Sequence, residues 1–276
     1  MERAVDDSAG AARRGELARL LTDRDRAVIA SLGDHRVMTT HHLAALHFHG
    51  VAPQQARRRL LGLYRWGVLD RFRPRLVRGS APWHWVLGAD GERVYADIHA
   101  MDRPAQRPGS RILIAHSAKL GHALGLAGCH VEFVQAARVS GARLLRWRTE
   151  ADCARRWGAH IRPDAYLRWA ETEHAPVLEA FLEYDNGTEP HFRVARKLRG
   201  YADHAAVHAR IDHVLFVVPT AARESGLARA LASHAASAVT VHLTTAALLR
   251  APGPAGAIWR PAHDTTRLTP GDIATC

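Results

Sequence analysis

The stretch PQQARRRLLGLYRWGVLDRFR, residues 53–73, decides how the N-terminal third of this chain folds. At 100° per residue, Ala56, Leu60 and Leu63 fall in one narrow stripe, which predicts an amphipathic helix. Pro53 suits the first turn of that helix, because an N–H group at that position would have no partner within the helix. The residues after the helix predict the first strand of a short hairpin.

The elements around this helix indicate its function more specifically than the helix does. A solvated amphipathic helix with no DNA-binding role would show the same apolar stripe. Two shorter helices precede it, beginning after Thr22 and near Thr39, and a basic hairpin follows it. Three short helices and a basic hairpin predict a winged helix-turn-helix, in which Arg and Gln side chains read bases or bind phosphates of double-stranded DNA. The residues expected to contact DNA are Gln54, Gln55, Arg57, Arg58 and Arg65 on the helix and Arg71, Arg73, Arg75 and Arg78 in the hairpin.

The charge of the chain favours a polyanionic partner. Over 276 residues, 38 Lys and Arg stand against 27 Asp and Glu, which gives a net charge of +11 and supports nucleic acid binding. The three cysteines are widely spaced, which disfavours a disulfide framework. No run approaches the ~18 apolar residues of a membrane span, and no signal peptide is evident. We therefore expect a cytoplasmic protein without a membrane partner, and the sequence leaves a homodimer open.

A change of hydrophobic period marks a second domain. We divide the chain into a flexible arm (1–20), the winged helix-turn-helix domain (21–100), a linker (101–111), the second domain (112–250) and a C-terminal tail (251–276). A long helix, three strands and then alternating helices and strands predict an α+β chain whose second domain has a central mixed sheet. The predicted bounds are 112–139, 189–204 and 221–233 for helices and 143–148, 164–169, 177–184, 213–218 and 238–243 for strands.

Acidic residues gather at one predicted hairpin of the second domain. If its two strands pair symmetrically about their connecting turn, Asp164 lies opposite Glu183, and Glu183 and Asp185 share one face. Three such carboxylates would raise one another's pKa values, and Mg²⁺, which takes oxygen ligands, would relieve their repulsion. Lys197 lies on the flank of the next helix, within reach of the cluster. A solvated acidic turn is the alternative interpretation.

Three segments resemble the replication-relaxation family of actinobacterial and plasmid proteins: RPD at 162–164, FLEYDNGTE at 181–189 and KLRGY at 197–201. The resemblance runs from about Leu21 to Leu249 and implies a role in plasmid replication and in relaxation of plasmid DNA. The second domain also resembles the PD-(D/E)xK nuclease fold, in which two acids hold Mg²⁺ and a Lys follows the second acid by two residues. Asp164 and Glu183 match the acids, whereas Asp185 occupies the Lys position.

The resemblance leaves two functions open. In the first, the chain is a Mg²⁺-dependent DNA endonuclease that nicks DNA, with Asp164, Glu183 and Asp185 as metal ligands and Lys197 replacing the missing Lys; these four are the expected catalytic residues. Glu132 on the long helix is a weaker supporting acid. In the second, the chain is a non-enzymatic DNA-binding factor for replication or regulation, and its nuclease-like domain is inactive.

Overall fold

The computed structural model describes residues 15–17, 19–75, 79–99, 114, 117, 119–208, 213–232 and 239–276. The chain divides into two units between Ser117 and Ala118, and each unit is described by itself. The predicted linker and Arg78 lie outside the described residues. Of the predicted flexible arm, residues 15–17, 19 and 20 are described, and Leu17 among them is buried. Leu17 is therefore packed, whereas residues 15, 16, 19 and 20 are exposed.

The first unit combines helices with a three-stranded antiparallel sheet. Thr22 and Thr39 cap the first two helices, each through a capping box in which side chain and backbone satisfy each other's terminal groups. The helices are α1 (Asp23–His35), α2 (Thr40–His47), α3 (Pro53–Arg65) and α4 (Ala89–Ile98), and the strands are β1 (Met38–Thr39), β2 (Leu69–Phe72) and β3 (His84–Leu87). The strand order is β1-β3-β2.

The predicted stripe of α3 is buried and the predicted hairpin is present. Ala56, Leu60 and Leu63 lie in the core, and Pro53 occupies the first turn of α3. Strands β2 and β3 pair antiparallel along their whole length. Gly67, between α3 and β2, has a φ of +72°, a left-handed conformation that glycine adopts without strain. The chain therefore turns sharply from the helix into the hairpin.

The second unit contains a six-stranded mixed sheet, as the alternation of elements predicts. Its helices are α5 (Leu120–Ser140), α6 (Glu150–Trp157), α7 (His191–His208), α8 (Ala221–Ala232), α9 (Ala246–Arg250) and α10 (Pro270–Ala274). Its strands are β4 (Arg143–Arg148), β5 (Ala165–Ala170), β6 (Val177–Tyr184), β7 (His213–Val218), β8 (Thr240–Thr245) and β9 (Arg260–Pro261). They lie in chain order across the sheet, with β6, β7 and β8 parallel and the other neighbours antiparallel.

Helices cover both faces of this sheet. Leu182 belongs to a core that includes residues of α5, whereas its neighbour Phe181 belongs to a core with residues of α7 and α8. Because side chains alternate along a strand, Glu183 faces the same side as Phe181. The end of β6 therefore presents a carboxylate to α7.

The C-terminal residues differ from the prediction. Residues 251–276 are not a tail: Ile258, Trp259 and Ile273 are buried in the α5-side core, and Arg267 pairs with buried Glu224 of α8. Their few apolar residues follow neither a helical nor a strand period, so the pattern gave no signal. Helix α6 was also not predicted, and α5 begins at Leu120 rather than at 112. None of the described helices has the length and apolar composition that a membrane span requires.

Candidate functional site

Asp164 and Glu183 are brought together where β5 begins and β6 ends. Ala165 pairs with Leu182 in the antiparallel ladder, so Asp164 stands opposite Glu183, and the predicted register is confirmed. Both carboxylates are buried, with exposed fractions of 8% and 2%. Two acids so close in a poorly solvated position interact strongly.

Glu183 is held by two side chains of α7. Lys197 Nζ lies 2.6 Å from Glu183 Oε2, and the Tyr201 hydroxyl donates a hydrogen bond to Oε1. Lys197 and Tyr201 are one helical turn apart, so they project from the same face of α7. Burial, together with the negative charge of Asp164, raises the pKa of Glu183 to about 7, although Lys197 and Tyr201 oppose that change.

The charge of Glu183 changes the pKa values of its two partners. Burial by itself would lower the pKa of Lys197, but the attraction of Glu183 outweighs burial and raises that pKa. Burial and the charge of Glu183 raise the pKa of Tyr201 well above its usual value. Near neutral pH this site therefore holds a cationic Lys197, a neutral Tyr201 and a Glu183 that exchanges its proton.

Asp164 has its own partners on the other side of the sheet. Its Oδ2 accepts a hydrogen bond of 2.9 Å from the backbone N–H of Tyr184, and its Oδ1 lies 3.2 Å from Nε2 of His122 on α5. The hydrogen bond to Asp164 raises the pKa of His122, against the effect of burial. His122 was not among the predicted site residues, because no sequence motif links it to the acidic hairpin.

Asp185 is engaged away from this pair. Arg223 of α8 donates from Nε to Asp185 Oδ2 at 2.6 Å and also donates to the carbonyl oxygen of Glu189. The backbone N–H of Gly187 donates to Asp185 Oδ1 at 2.8 Å. Asp185 and Arg223 thus stabilise the turn that follows β6. Arg223 was also missed, since its role depends on how α8 packs.

A metal ion fits only part of the predicted ligand set. In the described ranges, no group of three or more His, Cys, Asp or Glu side chains is arranged to hold one. Asp164 and Glu183 remain as adjacent oxygen donors, and Mg²⁺ is often held by one or two carboxylates plus water. The expected supporting acid Glu132 is partly buried; burial raises its pKa while Arg250 opposes the change.

The first unit presents a separate polar surface. Arg59 of α3 does not belong to it: this side chain turns inward, and its Nε donates to buried Asp25 at 2.8 Å. The predicted DNA-contacting residues that are exposed are Gln54, Gln55, Arg57, Arg58, Arg65, Arg73 and Arg75. The α3 side chains expected to face a partner are therefore accessible.

Aromatic rings hold two hairpin arginines beside α3. The guanidinium of Arg71 lies 3.9 Å from the ring centre of Trp83 and 4.8 Å from that of Tyr64. Arg73 lies 4.3 Å from the ring centre of Trp83. Such cation–π contacts restrict the arginines and keep their charge at the surface. Trp83 was not among the predicted site residues, although it stands in the predicted hairpin.

Comparison with known proteins identifies a family. The model of the replication-relaxation family matches residues 29–216, which include α3, the β2–β3 hairpin and the Asp164–Lys197 cluster. No curated protein and no solved structure gives a significant match. The matched range covers more than half of the chain. It includes the exposed residues of α3 in the first unit and the buried acidic cluster of the second unit.

Proposed function

We propose, from the premise that this chain belongs to the replication-relaxation family, that it binds and nicks DNA in the replication or relaxation of a plasmid or other mobile element. The contact that carries the proposal joins Lys197 Nζ to Glu183 Oε2 at 2.6 Å, opposite Asp164. Two acids and a lysine are the groups of a PD-(D/E)xK nuclease site. Here the lysine comes from α7, because Asp185 occupies its usual position.

The first unit is proposed to bind duplex DNA as a winged helix. Its support is the exposed Arg and Gln surface of α3 beside a hairpin that carries Arg71 and Arg73. An exposed helix of this kind can enter the major groove while hairpin arginines contact phosphates. The net charge of +11 favours the same partner.

In the second unit, Asp164 and Glu183 would hold Mg²⁺, and Asp185 is left out because Arg223 binds it. When bound, Mg²⁺ supplies Lewis-acid stabilisation of negative charge on the scissile phosphate. Lys197 would offset further charge that develops in the transition state. Tyr201 orients Glu183, and His122 orients Asp164, so both acids are positioned before DNA arrives.

Supercoiled plasmid tests the nuclease activity. The protein is incubated with plasmid and Mg²⁺ or Mn²⁺, with EDTA as the metal-free reaction, and nicked circles are measured on a gel. We expect nicking by the wild type and by Arg196→Ala, a control that removes an exposed cation next to Lys197. Glu183→Gln and Lys197→Met should lose at least 100-fold in rate, the order expected when transition-state charge stabilisation is removed. Metal-dependent nicking that survives in both variants would refute the assignment of the site.

A second function is favoured by one observation. Both oxygens of Glu183 already have protein partners, Lys197 and Tyr201, as expected if the site is a scaffold in a non-enzymatic DNA-binding factor. Absence of nicking with either metal, together with intact duplex binding, would support this alternative.

Duplex binding is tested separately. Arg58→Ala should weaken binding and lower the slope of log K against log salt by about one if Arg58 contacts a phosphate. Arg93→Ala, on α4, removes one positive charge from the same unit and should leave that slope unchanged. Equal effects of the two variants would mean that net charge, and not the α3 surface, is responsible.

A further inference from the structure

Two arginines stand directly opposite each other in the sheet of the second unit. Arg146 of β4 pairs with Arg168 of β5 in the antiparallel ladder. Because side chains alternate along a strand, Arg168 lies on the same face as Tyr166, which belongs to the core formed with α7 and α8. Arg146 shares this face, since residues that pair across a ladder point to the same side. The α7 side of the sheet therefore carries both guanidinium groups.

Two more arginines border this pair. Arg148, two residues along β4, pairs with Tyr166. Burial raises the pKa of Tyr166 to about 12, and the charges of Arg168 and Arg148 oppose that rise, so both guanidinium groups lie near this ring. Arg156 of α6 lies 5.4 Å from the ring centre of Trp157, and that ring is 5.2 Å from the Tyr166 ring. The arginine face consists of Arg146, Arg148, Arg156 and Arg168.

Little of this positive charge is neutralised within the protein. Glu179 of β6 is placed beside Arg168 by the register, and its Oε1 lies 2.9 Å from Arg168 Nε. Its Oε2 accepts a hydrogen bond of 2.9 Å from the Tyr166 hydroxyl, so both carboxylate oxygens are occupied. Within the part of the chain that the structure describes, neither Arg146 nor Arg148 forms an ion pair. Like charges directly opposite each other destabilise a sheet, so folding does not account for this arrangement.

The arginine face is accessible. Arg146 and Arg156 are exposed and Arg148 is half-buried, while the side chain of Arg168 is 41% exposed. Strand β4 is first in the order of the six strands, so the face reaches an edge of the sheet. Charged side chains on an edge strand also deter pairing with other chains. That role accounts for the two arginines of β4 but not for Arg168 on an inner strand or Arg156 on a helix.

Glu183 of the acid pair faces the same side of the sheet. It lies four residues beyond Glu179 on β6, a distance of about 13 Å at ~3.3 Å per residue. A DNA duplex carries one phosphate charge per ~1.7 Å of helix axis. Several phosphates of one duplex therefore span the distance between the arginine face and the acid pair.

We propose that the arginine face binds the phosphate backbone of duplex DNA. Guanidinium groups donate paired hydrogen bonds that match phosphate oxygens, and phosphate contacts fix the position of a protein on a duplex. The proposal rests on the proposed function in taking DNA as the partner, and it does not require nicking. It gives the second unit a DNA contact of its own, separate from the α3 surface of the first unit.

The test uses the full chain and a short fluorescein-labelled duplex, in EDTA to prevent cleavage. Arg146→Gln/Arg148→Gln, the face variant, is compared by fluorescence anisotropy with Arg138→Gln/Arg229→Gln. The control pair removes the same charge from exposed positions of α5 and α8. Binding to vesicles of phosphatidylserine and phosphatidylcholine is measured in parallel, because an acidic membrane presents phosphates as well.

We expect the face variant to lose about tenfold or more in duplex affinity and the control pair to lose less than about twofold. The slope of log K against log salt should fall by about 1.8 in the face variant, at ~0.9 per phosphate contact. Arg146→Lys/Arg148→Lys, which keeps the charge, should retain most of that slope. Equal losses in the face and control variants, or unchanged duplex affinity in the face variant, would overturn the proposal. So would a loss confined to the vesicles.

Thermal unfolding without DNA separates binding from a structural role. Removal of like charges should leave the melting temperature of the face variant unchanged or raise it. A lower melting temperature would mean that the arginines stabilise the fold, and would contradict the proposal.

Arg58→Ala separates this proposal from the preceding one. If Arg58→Ala leaves duplex binding intact while the face variant loses it, the α3 surface fails as the reader and the arginine face stands. If Arg58→Ala loses duplex binding while the face variant binds as wild type does, the arginine face is refuted and the α3 surface stands.

Discussion

Replacement of Glu183 by Gln should stabilise the protein, and the gain should grow as the pH rises from 5 to 7. In the folded protein the pKa of Glu183 is about 7, raised from its usual 4.5 by burial and by the charge of Asp164. The folded state therefore holds this proton more tightly than the unfolded state does. The associated stability is fully present below pH 4.5 and is lost as the pH rises through about 7. Gln has nearly the same shape but does not titrate.

The size of the effect follows from the two pKa values. Each pH unit between them is worth about 1.4 kcal/mol, so the interval from 4.5 to about 7 corresponds to a loss of about 3 kcal/mol. Most of this loss, about 2 kcal/mol, falls between pH 5 and pH 7. Lys197 would lose its partner in the variant, but its side chain is 46% exposed, so water can solvate the ammonium group.

Urea unfolding of wild type and Glu183→Gln at pH 5, 6, 7 and 8, followed by tryptophan fluorescence, measures the difference in free energy of unfolding. Glu179→Gln is the matched control, because Glu179 lies on the same strand but its side chain is 33% exposed. This variant removes a carboxylate from the same strand and leaves the buried one in place. A Glu183→Gln difference that is constant from pH 5 to 8, or that turns increasingly unfavourable with pH, would refute the electrostatic description of the site.

Two further predictions concern packing and stability. Gly125→Ala should lower the free energy of unfolding by about 1–3 kcal/mol through overpacking, because its Cβ would lie 2.1 Å from the Tyr184 ring. Gly121→Ala on the same helix is the control and should not lower it, because its Cβ would meet Asn186 Nδ2 at 4.0 Å, an ordinary contact distance. Asp25→Ala should lower the free energy of unfolding of the first unit by about 3 kcal/mol, since fully buried Asp25 is the carboxylate partner of Arg59. Thermal unfolding measures the effects of the glycine and the Asp25 variants. A loss under 1 kcal/mol for Asp25→Ala would show that Arg59 finds other partners.

The acidic hairpin was predictable because its determinants are local. Two apolar segments flank a short polar turn, and the register of such a hairpin follows from the turn and from the alternation of buried residues. That register places Asp164 opposite Glu183. The position of Lys197 followed in the same way, from the apolar stripe of a single helix. Both predictions rest on local sequence and do not depend on how separate elements pack.

The remaining contacts depend on packing between distant segments. His122 reaches Asp164 because α5 crosses the sheet beside β6, and Arg223 reaches Asp185 because α8 lies near the turn after that strand. Neither residue type nor spacing in the sequence marks these pairs. The same reason explains the C-terminal residues, where Trp259 is fully buried although its neighbours show no periodic pattern.

The energetics of Glu183 bear on the choice between an enzyme and a scaffold. At neutral pH a buried carboxylate with a pKa near 7 lowers stability, and a neutral residue of similar shape would remove that cost. A scaffold has no use for the titrating group, whereas a site that binds a cation or handles a proton needs it, and proteins accept lower stability at such sites. If Glu183→Gln gains stability and loses nicking, the carboxylate is kept for chemistry. If the variant gains stability and wild type never nicks, Glu183 serves neither stability nor cleavage, and the DNA-binding factor becomes the better description.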